Sequence, residues 1–129
     1  MTNVPRRLYV DLDGTLCPVK APDQRYEDLP VHESLRDRLR VAKDEGYEII
    51  IYTARNVRTH NGDLSRLIAD TAPKILAWLD RHCVPYDGLI VGKPWPGPDG
   101  FFIDDRAVRP DEFVTMKTEA ILAMLGKSD

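Results

Sequence analysis

Four short segments of the sequence carry the side-chain types that phosphoryl transfer requires. They are residues 11–16 (DLDGTL), 52–55 (YTAR), 92–94 (GKP) and 102–106 (FIDDR). Each segment follows or ends a short apolar run of the kind that forms a strand. In a parallel α/β sheet the ligand site lies beyond the carboxyl ends of the strands. We therefore expect the four segments to converge on one site.

The first segment offers two carboxylates, two residues apart, for two different roles. Asp11 can attack phosphorus as the nucleophile and give an aspartyl-phosphate intermediate. Asp13 can protonate the leaving oxygen as general acid and then deprotonate water in the second step. Gly14 permits the tight turn that follows and a close approach of the backbone to a ligand.

The other segments supply groups that hold and neutralise a phosphate. A phosphate dianion and an attacking carboxylate repel each other, so the reaction needs a cation between them, and Mg²⁺ suits that role. Thr53 offers a hydroxyl, with backbone amides after it, and Lys93 can neutralise the nucleophile and the phosphoryl group. The candidate catalytic residues are thus Asp11, Asp13, Thr53 and Lys93. Asp104 and Asp105, an adjacent acidic pair, are candidates to complete the magnesium site.

Each segment taken alone has an ordinary structural explanation. The acidic string at residues 11–14 can be a strand-end turn or part of a calcium loop, but Pro18 and Val19 stand where a calcium loop needs oxygen ligands. Lys93 alone would be a surface lysine, and Thr53 alone a strand-end residue. The combination of all four segments favours catalysis.

Further residues are candidates for substrate binding, and several keep a second interpretation. The set is Gly14, Thr15, Ala54, Arg55, His60 and Arg106. Arg55 either binds a substrate anion through its forked donors or pairs with a nearby carboxylate. His60 either lines the pocket or is simply solvated, and Trp95 either stacks on a sugar or fills a subunit contact. Cys17 is a small residue near the site rather than a nucleophile, because no histidine is placed to activate it.

The composition limits the class of protein. The chain has 129 residues, 43% of them hydrophobic, which fits one compact domain over residues 1–129. A formal charge of −3 argues against a nucleic-acid footprint, which usually needs a basic face. Two cysteines make no disulfide framework, and neither a signal peptide nor a membrane-spanning run is present. We expect a soluble, cytoplasmic protein that binds neither nucleic acid nor membrane.

Strand and helix patterns alternate along the chain, and this predicts a parallel, doubly wound α/β sheet. Apolar runs predict strands at residues 8–10, 48–52, 89–91 and 101–103. A helical stripe of Leu35, Leu39 and Ala42 predicts a helix over residues 31–45. Thr71 and Pro73 are typical of a helix start, with the helix running to His82, and residues 116–125 are predicted to form a final helix.

The four segments together resemble the motifs of the haloacid dehalogenase (HAD) superfamily of phosphotransferases. The DxDGT string at residues 11–15, Thr53, Lys93 and the acidic pair at residues 104–105 match the family pattern. The resemblance implies a Rossmann-like fold, Mg²⁺ dependence and an aspartyl-phosphate mechanism. It implies metal contacts from the Asp11 side chain, the Asp13 backbone carbonyl and Asp104, with Asp105 orienting Lys93 or a metal-bound water.

The gaps between the motifs bear on the type of HAD protein. Neither the gap after the first motif nor the gap after the second leaves room for a folded cap domain, so the chain looks like a capless member. Residues 53–62, 91–95 and 104–110 further resemble small HAD phosphatases of bacterial capsule and lipopolysaccharide biosynthesis. That resemblance implies a sugar or polyol phosphate as substrate, and the open site makes a homodimer or homotetramer plausible.

Two other functional classes stay open from the sequence. An open site also permits a nucleotidase or a phosphoprotein phosphatase, and a substrate panel separates these. A non-catalytic Mg²⁺-binding module of a polysaccharide assembly is the alternative of another class. The intact set of charged residues at the four motifs argues against that alternative.

Overall fold

The computed structural model describes residues 4–127. The chain divides into two compact units, the first ending at Trp95 and the second beginning at Pro96, and each is described by itself. No helix in the described range is long and apolar enough to cross a membrane.

The first unit is built on a three-stranded parallel sheet. Its strands are β1 (Arg7–Val10), β2 (Glu48–Thr53) and β3 (Gly88–Val91), in the order β1-β2-β3. Val10 is in register with Ile51, and Thr53 with Val91, so all three strands end at the same edge. These strands and their parallel direction confirm the sequence prediction for this part of the chain. The first three motifs begin at that edge.

Helix α1 (Glu33–Asp44) shows why the periodic stripe predicts a helix here. Leu35, Leu39 and Ala42 are the buried residues of the helix, at the i, i+4, i+7 spacing of one face. The side chain of His32 accepts a hydrogen bond from the Leu35 amide at 3.0 Å and caps the N-terminus. Gly46, at φ +97°, turns the chain from the helix into β2.

The helix predicted from Thr71 to His82 is present, but Thr71 neither caps it nor begins the helical run. Helical backbone runs without a break from α2 (Leu64–Arg66) through a π-helical turn (Leu67–Thr71) into α3 (Ala72–Arg81). Asp63 caps the beginning of this run, whereas Thr71 has helical dihedral angles and makes no cap bond. Pro73 lacks an N–H and would crowd the carbonyl four residues earlier in a regular α-helix, so the wider π turn accommodates it.

The loop between β1 and α1 is anchored to the core by a hydrogen bond from a tryptophan side chain. The loop contains one 3₁₀ turn (Tyr26–Asp28) and no hairpin. Its last turn ends at Leu29, which is buried and whose carbonyl accepts a hydrogen bond from Trp78 Nε1 at 2.9 Å. Trp78 is itself 2% exposed and belongs to the core with Ile75 and Leu79.

The second unit contains two short helices, α4 (Pro110–Thr115) and α5 (Thr118–Met124). The last of these confirms the predicted final helix. The predicted strand at residues 101–103 is absent: Phe101, Phe102 and Ile103 do not adopt strand structure and are 77%, 56% and 93% exposed. A strand needs a neighbour for its backbone hydrogen bonds, and an apolar run alone does not provide one.

These elements give a small α/β protein with a parallel sheet and flanking helices, consistent with a Rossmann-like fold. One helix follows β1, and one continuous helical run follows β2. No inserted cap domain is present between these elements in the described residues. The fold class therefore agrees with the sequence prediction.

Candidate active site

The chain leaves β1 through a tight turn that is wound around one carbonyl. The Leu12 carbonyl accepts hydrogen bonds from the amides of Thr15, Leu16 and Cys17, at 3.1, 2.9 and 3.2 Å. The Gly14 amide donates to the Cys17 carbonyl at 2.7 Å, and Gly14 has a φ of +85° that suits glycine. This turn fixes Asp11 and Asp13 at the edge where β1 ends.

Asp11 occupies a partly open position beside a lysine. Its side chain is 37% exposed, and one oxygen, Oδ2, accepts a hydrogen bond from Thr15 Oγ1 at 3.1 Å. The other oxygen, Oδ1, lies 3.7 Å from Lys93 Nζ. The structure thus brings together three residues that the sequence analysis assigned to catalysis or substrate binding.

Lys93 is positioned by the neighbouring strand end. Its amide donates to the Thr53 carbonyl at 3.0 Å, which continues the β2–β3 pairing by one residue. Its ammonium nitrogen lies 5.4 Å from the centre of the Tyr52 ring, within the range of a cation–π contact. Gly92, at φ +87°, makes the turn that sends the lysine toward Asp11.

Asp13 has a different environment, in which both carboxylate oxygens accept hydrogen bonds from Arg55. Arg55 Nη2 donates to Oδ1 at 2.7 Å, and Arg55 Nε donates to Oδ2 at 3.1 Å. The Arg55 side chain is 4% exposed and that of Asp13 25% exposed. The sequence left two interpretations of Arg55 open, a substrate-anion contact or a pair with a nearby carboxylate. The structure shows the second, with Asp13 as the carboxylate.

Two residues complete the surroundings of this ion pair. Tyr26 places its ring 4.1 Å from Arg55 Cζ, so the ring covers one face of the guanidinium. Cys17 Sγ lies 3.4 Å from Asp13 Oδ1 and 3.6 Å from Arg55 Nη2. Burial, with the adjacent Asp13 charge, raises the pKa of Cys17 to about 12, so the thiol stays protonated at neutral pH. This fits its assignment as a small residue near the site rather than a nucleophile.

Tyr26 is the residue that sequence reasoning missed. It lies in the charged loop between β1 and α1, and it is the single aromatic residue of positions 17–30. That isolation is a signal, because a lone aromatic side chain in a polar loop usually has a packing partner. Burial and the nearby Asp13 charge raise the pKa of its hydroxyl.

Thr53 is almost fully buried, at 1% exposure. Its hydroxyl oxygen accepts a hydrogen bond from the Arg55 amide at 3.0 Å. The amide of Arg55 is therefore used within the turn, and Ala54 is the half-buried residue between the two. This short bond fixes the direction in which Arg55 leaves β2 and so helps to place its side chain on Asp13.

A cleft of about 450 Å³ lies beside the turn that follows Arg55. Its polar lining comes from Asn56, Thr59 and His60 of the turn and from Asp70 and Lys74 of the helical run. Asn56 has a φ of +61°, and its amide donates to Thr71 Oγ1 at 3.0 Å, which ties the turn to the helix. The structure thus places His60 in the lining of a cleft, which agrees with the first of its two interpretations, that it lines a pocket.

The residues of the fourth motif belong to the second unit. Asp104 Oδ1 accepts a hydrogen bond from the Arg106 amide at 2.8 Å, and Asp105 pairs with Lys127 at 3.1 Å. The hydrogen bond from Lys127 lowers the pKa of Asp105. All three motif residues are exposed. Their roles toward metal and substrate stay predictions.

The metal site also stays a prediction. Within residues 4–95, no third His, Cys, Asp or Glu joins Asp11 and Asp13 to make a group that could hold a metal ion. The donors that are present do suit Mg²⁺, because they are oxygens. Asp11 offers a partly exposed carboxylate. The carbonyl of Asp13 takes no part in the bridge to Cys17, which uses the Leu12 carbonyl and the Gly14 amide.

Comparisons with known proteins give the relationships of this chain. No protein-family model and no curated protein matches it. Two chains of Pnkp1/Rnl/Hen1 complexes, one of them described as an RNA repair complex, are 20% and 18% identical, with TM-scores of 0.52 and 0.51. The matches cover 89% and 96% of this chain but only 36% and 33% of those chains, and at this identity they show the fold alone.

A crystal structure of a target protein from Vibrio cholerae is much more similar. The two sequences are 46% identical, the match covers 96% of this chain and 99% of that one, and the TM-score is 0.88. With this identity over nearly the whole of both chains, the protein belongs to the same family as the Vibrio cholerae protein.

Proposed function

We propose that the protein is a Mg²⁺-dependent phosphomonoester hydrolase of the HAD type, which works through an aspartyl-phosphate on Asp11. The observation that carries the proposal is the position of Asp11. Its carboxylate stands at the carboxyl end of β1, is held on one oxygen by Thr15 and faces Lys93 with the other. A half-open carboxylate with an adjacent cation is what a nucleophile toward a phosphate dianion needs.

The first chemical step uses residues of the first unit. Asp11 Oδ1 attacks phosphorus, the bond from phosphorus to the ester oxygen breaks, and the leaving alkoxide takes the proton of Asp13, which enters this step as the neutral acid. The ammonium of Lys93, 3.7 Å from Asp11 Oδ1, offsets the repulsion between carboxylate and phosphate. Thr15 keeps the other oxygen of Asp11 in a hydrogen bond, which orients the attacking one.

The second step releases the phosphate. Asp13, now a carboxylate, takes a proton from water, and the hydroxide attacks phosphorus and frees Asp11. The bound Mg²⁺ would supply positive charge at the phosphate oxygens. The proposed ligands are the Asp11 carboxylate and the Asp13 carbonyl, with Asp104 and Asp105 as the remaining acidic residues of the motifs. Only oxygen donors are involved, which suits this ion.

The cleft after β2 supports a polyhydroxylated leaving group. Its lining mixes an amide, a hydroxyl, an imidazole, a carboxylate and an ammonium group, and these can donate to and accept from sugar or polyol hydroxyls. It adjoins the turn that starts with Thr53 and Arg55. We therefore propose a sugar or polyol phosphate as substrate. The proposed role in surface polysaccharide biosynthesis rests on the resemblance of residues 53–62, 91–95 and 104–110 to the phosphatases of that pathway.

Phosphate release from a panel of sugar, polyol and nucleotide monophosphates tests the proposal, with Mg²⁺ and with EDTA. Asp11→Asn is the decisive variant, and Asp44→Asn is the matched control, because Asp44 is an exposed residue at the end of α1. We expect Mg²⁺-dependent release that Asp11→Asn abolishes and Asp44→Asn leaves within about twofold. Near-native activity of Asp11→Asn would exclude it as the nucleophile. If the folded wild-type protein releases phosphate from none of these substrates, a binding role is favoured.

A further inference from the structure

Arg55 has two possible tasks, binding a substrate anion or pairing with a carboxylate, and its surroundings separate them. A residue that binds a substrate anion must present donors to the open site. The Arg55 side chain is 4% exposed, and its Nε and Nη2 atoms donate to the two oxygens of Asp13. The Tyr26 ring covers one face of the guanidinium at 4.1 Å. Little of the group is left to meet a phosphate.

The same contacts fix the carboxyl group of Asp13 in place. A carboxylate has about four lone-pair directions, and a bidentate arginine occupies one on each oxygen. The plane of the carboxyl group is then set by the plane of the guanidinium. Proton exchange is left to the remaining lone pairs of Oδ1 and Oδ2, one of which, on Oδ1, faces the Cys17 thiol at 3.4 Å.

We propose that Arg55, backed by Tyr26, is a positioning residue that fixes the orientation in which Asp13 exchanges its proton with the leaving group. The proposal rests on the proposed phosphatase function. Arg55 acts through Asp13, and Tyr26 holds Arg55 by stacking, so the loop between β1 and α1 contributes to the chemistry. The bond from the Arg55 amide to Thr53 Oγ1 supplies the fixed starting point of this arrangement.

The identity of the leaving group distinguishes this role from the alternatives. An alkyl phosphate such as glycerol phosphate needs a proton on its leaving oxygen, whereas p-nitrophenyl phosphate expels a stable anion and needs little help. Loss of Asp13 orientation therefore lowers kcat for the first substrate much more than for the second. A substrate-binding arginine would instead raise KM for both.

The experiment compares Arg55→Met, Arg55→Lys and Tyr26→Leu on these two substrates, alone and with Asp13→Asn. We expect Arg55→Met to lower kcat about 10²-fold on glycerol phosphate and less than about tenfold on p-nitrophenyl phosphate. Arg55→Lys keeps the charge without the forked geometry and should not restore the rate. In the Asp13→Asn background, Arg55→Met should cause no further loss, because the two residues act as one unit.

Arg36→Met is the matched control for loss of a partly buried arginine. The Arg36 side chain is 19% exposed and donates to the His82 carbonyl at 3.4 Å, away from the motif residues. Its removal should lower stability and leave the ratio of the two rates unchanged. If Arg55→Met does not fold, Tyr26→Leu keeps the test intact, because it removes the stacking ring and leaves the Arg55–Asp13 pair. We expect it to shift the ratio in the same direction by a smaller factor.

Three outcomes would overturn the proposal. A rise in KM on both substrates that persists with Asp13→Asn would make Arg55 a substrate-binding residue. Equal losses of kcat on both substrates, accompanied by lower stability, would make it merely structural. No turnover by wild-type protein on either substrate would overturn the phosphatase function itself, and with it the role of Arg55. The wild-type rate on p-nitrophenyl phosphate keeps this last failure distinct from the other two.

Discussion

Asp13→Asn should destabilise the folded protein much more than the parallel change Asp11→Asn. The two aspartates are two residues apart in one turn, and both are assigned to catalysis. Asp13 balances the charge of an arginine whose side chain is 4% exposed, at 2.7 and 3.1 Å. Asp11 has a side chain that is 37% exposed and a lysine at 3.7 Å. The same chemical change therefore removes very different interactions.

The expected magnitudes follow from this difference in burial. Removal of one partner from a buried ion pair costs about 3–5 kcal/mol. The Asp13 side chain is 25% exposed, and asparagine keeps one oxygen that can still accept from Arg55. We therefore expect about 2–3 kcal/mol for Asp13→Asn and at most about 1 kcal/mol for Asp11→Asn. For a chain of 129 residues these values correspond to Tm changes of about 8–10 °C and at most about 4 °C.

Thermal and urea unfolding followed by far-UV circular dichroism measures both variants. The buffer should contain EDTA, because a metal bound at Asp11 would stabilise the wild type by mass action and exaggerate the effect of Asp11→Asn. Arg55→Met and Asp13→Asn form a double-mutant cycle. The double variant should lose less free energy of unfolding than the sum of the losses in the two single variants. Equal destabilisation by Asp11→Asn and Asp13→Asn, or a cycle with no coupling, would refute the assignment of Arg55 and Asp13 as a buried pair.

Four other predictions concern the thiols, the core and the cleft. In native protein at pH 8 a thiol reagent should label the exposed Cys83 and spare the buried Cys17, while both react in urea. The pKa of Cys17 is raised from 9.0 to about 12, so its contribution to stability is complete below pH 9 and is lost as the pH rises through 9–12. Urea unfolding at a series of pH values should thus show that the free energy of unfolding falls less steeply with pH for Cys17→Ala than for wild type. The two slopes should differ by up to about 1.4 kcal/mol per pH unit. Trp78→Phe should lower the free energy of unfolding in urea by about 2 kcal/mol, because it leaves the buried Leu29 carbonyl without its 2.9 Å donor. Lys74→Ala should raise KM for a sugar phosphate about three- to tenfold and leave kcat unchanged in steady-state assays; an unchanged KM would exclude the cleft as part of the substrate site.

The parts of the fold that the sequence predicts well are those in which burial and period coincide. The three strands of the sheet are short apolar runs between turn residues, and α1 buries Leu35, Leu39 and Ala42 on one face. The positions of Asp11, Thr53 and Lys93 follow from the same pattern. Each stands at or just past a strand end, so a parallel sheet brings them to one edge.

The errors occur where a local signal has more than one structural solution. Thr71 and Pro73 are a good helix start in isolation, but the helical run already begins after Asp63 and passes the proline through a π turn. The apolar run at residues 101–103 has strand-forming side chains, but a strand forms only beside a neighbouring strand, and these residues do not adopt strand structure. Both cases depend on neighbours that a local window does not contain.

The ion pair between Asp13 and Arg55 could not be predicted from the sequence for a related reason. The two residues are 42 positions apart, and the sequence offers Arg55 either a substrate anion or any nearby carboxylate. Tyr26 adds a third chain segment, and no period or spacing links it to the other two. A sequence can place side chains at one edge of a sheet, but which donor meets which acceptor there is decided by the turns.

The first motif places two identical side chains two residues apart and gives them opposite surroundings. Asp11 has one oxygen in a hydrogen bond from Thr15 and the other, attacking oxygen 3.7 Å from Lys93, with 37% of its side chain open to solvent. A nucleophile needs this freedom, because its attacking oxygen must form a bond to phosphorus. Asp13 is held on both oxygens by a buried arginine. A group that returns a proton to the same place in each step benefits from such restraint, since misplaced proton transfer costs rate without changing affinity. The difference between the two environments therefore supports the two proposed roles, whereas the acidic string alone offers two identical side chains and does not separate them.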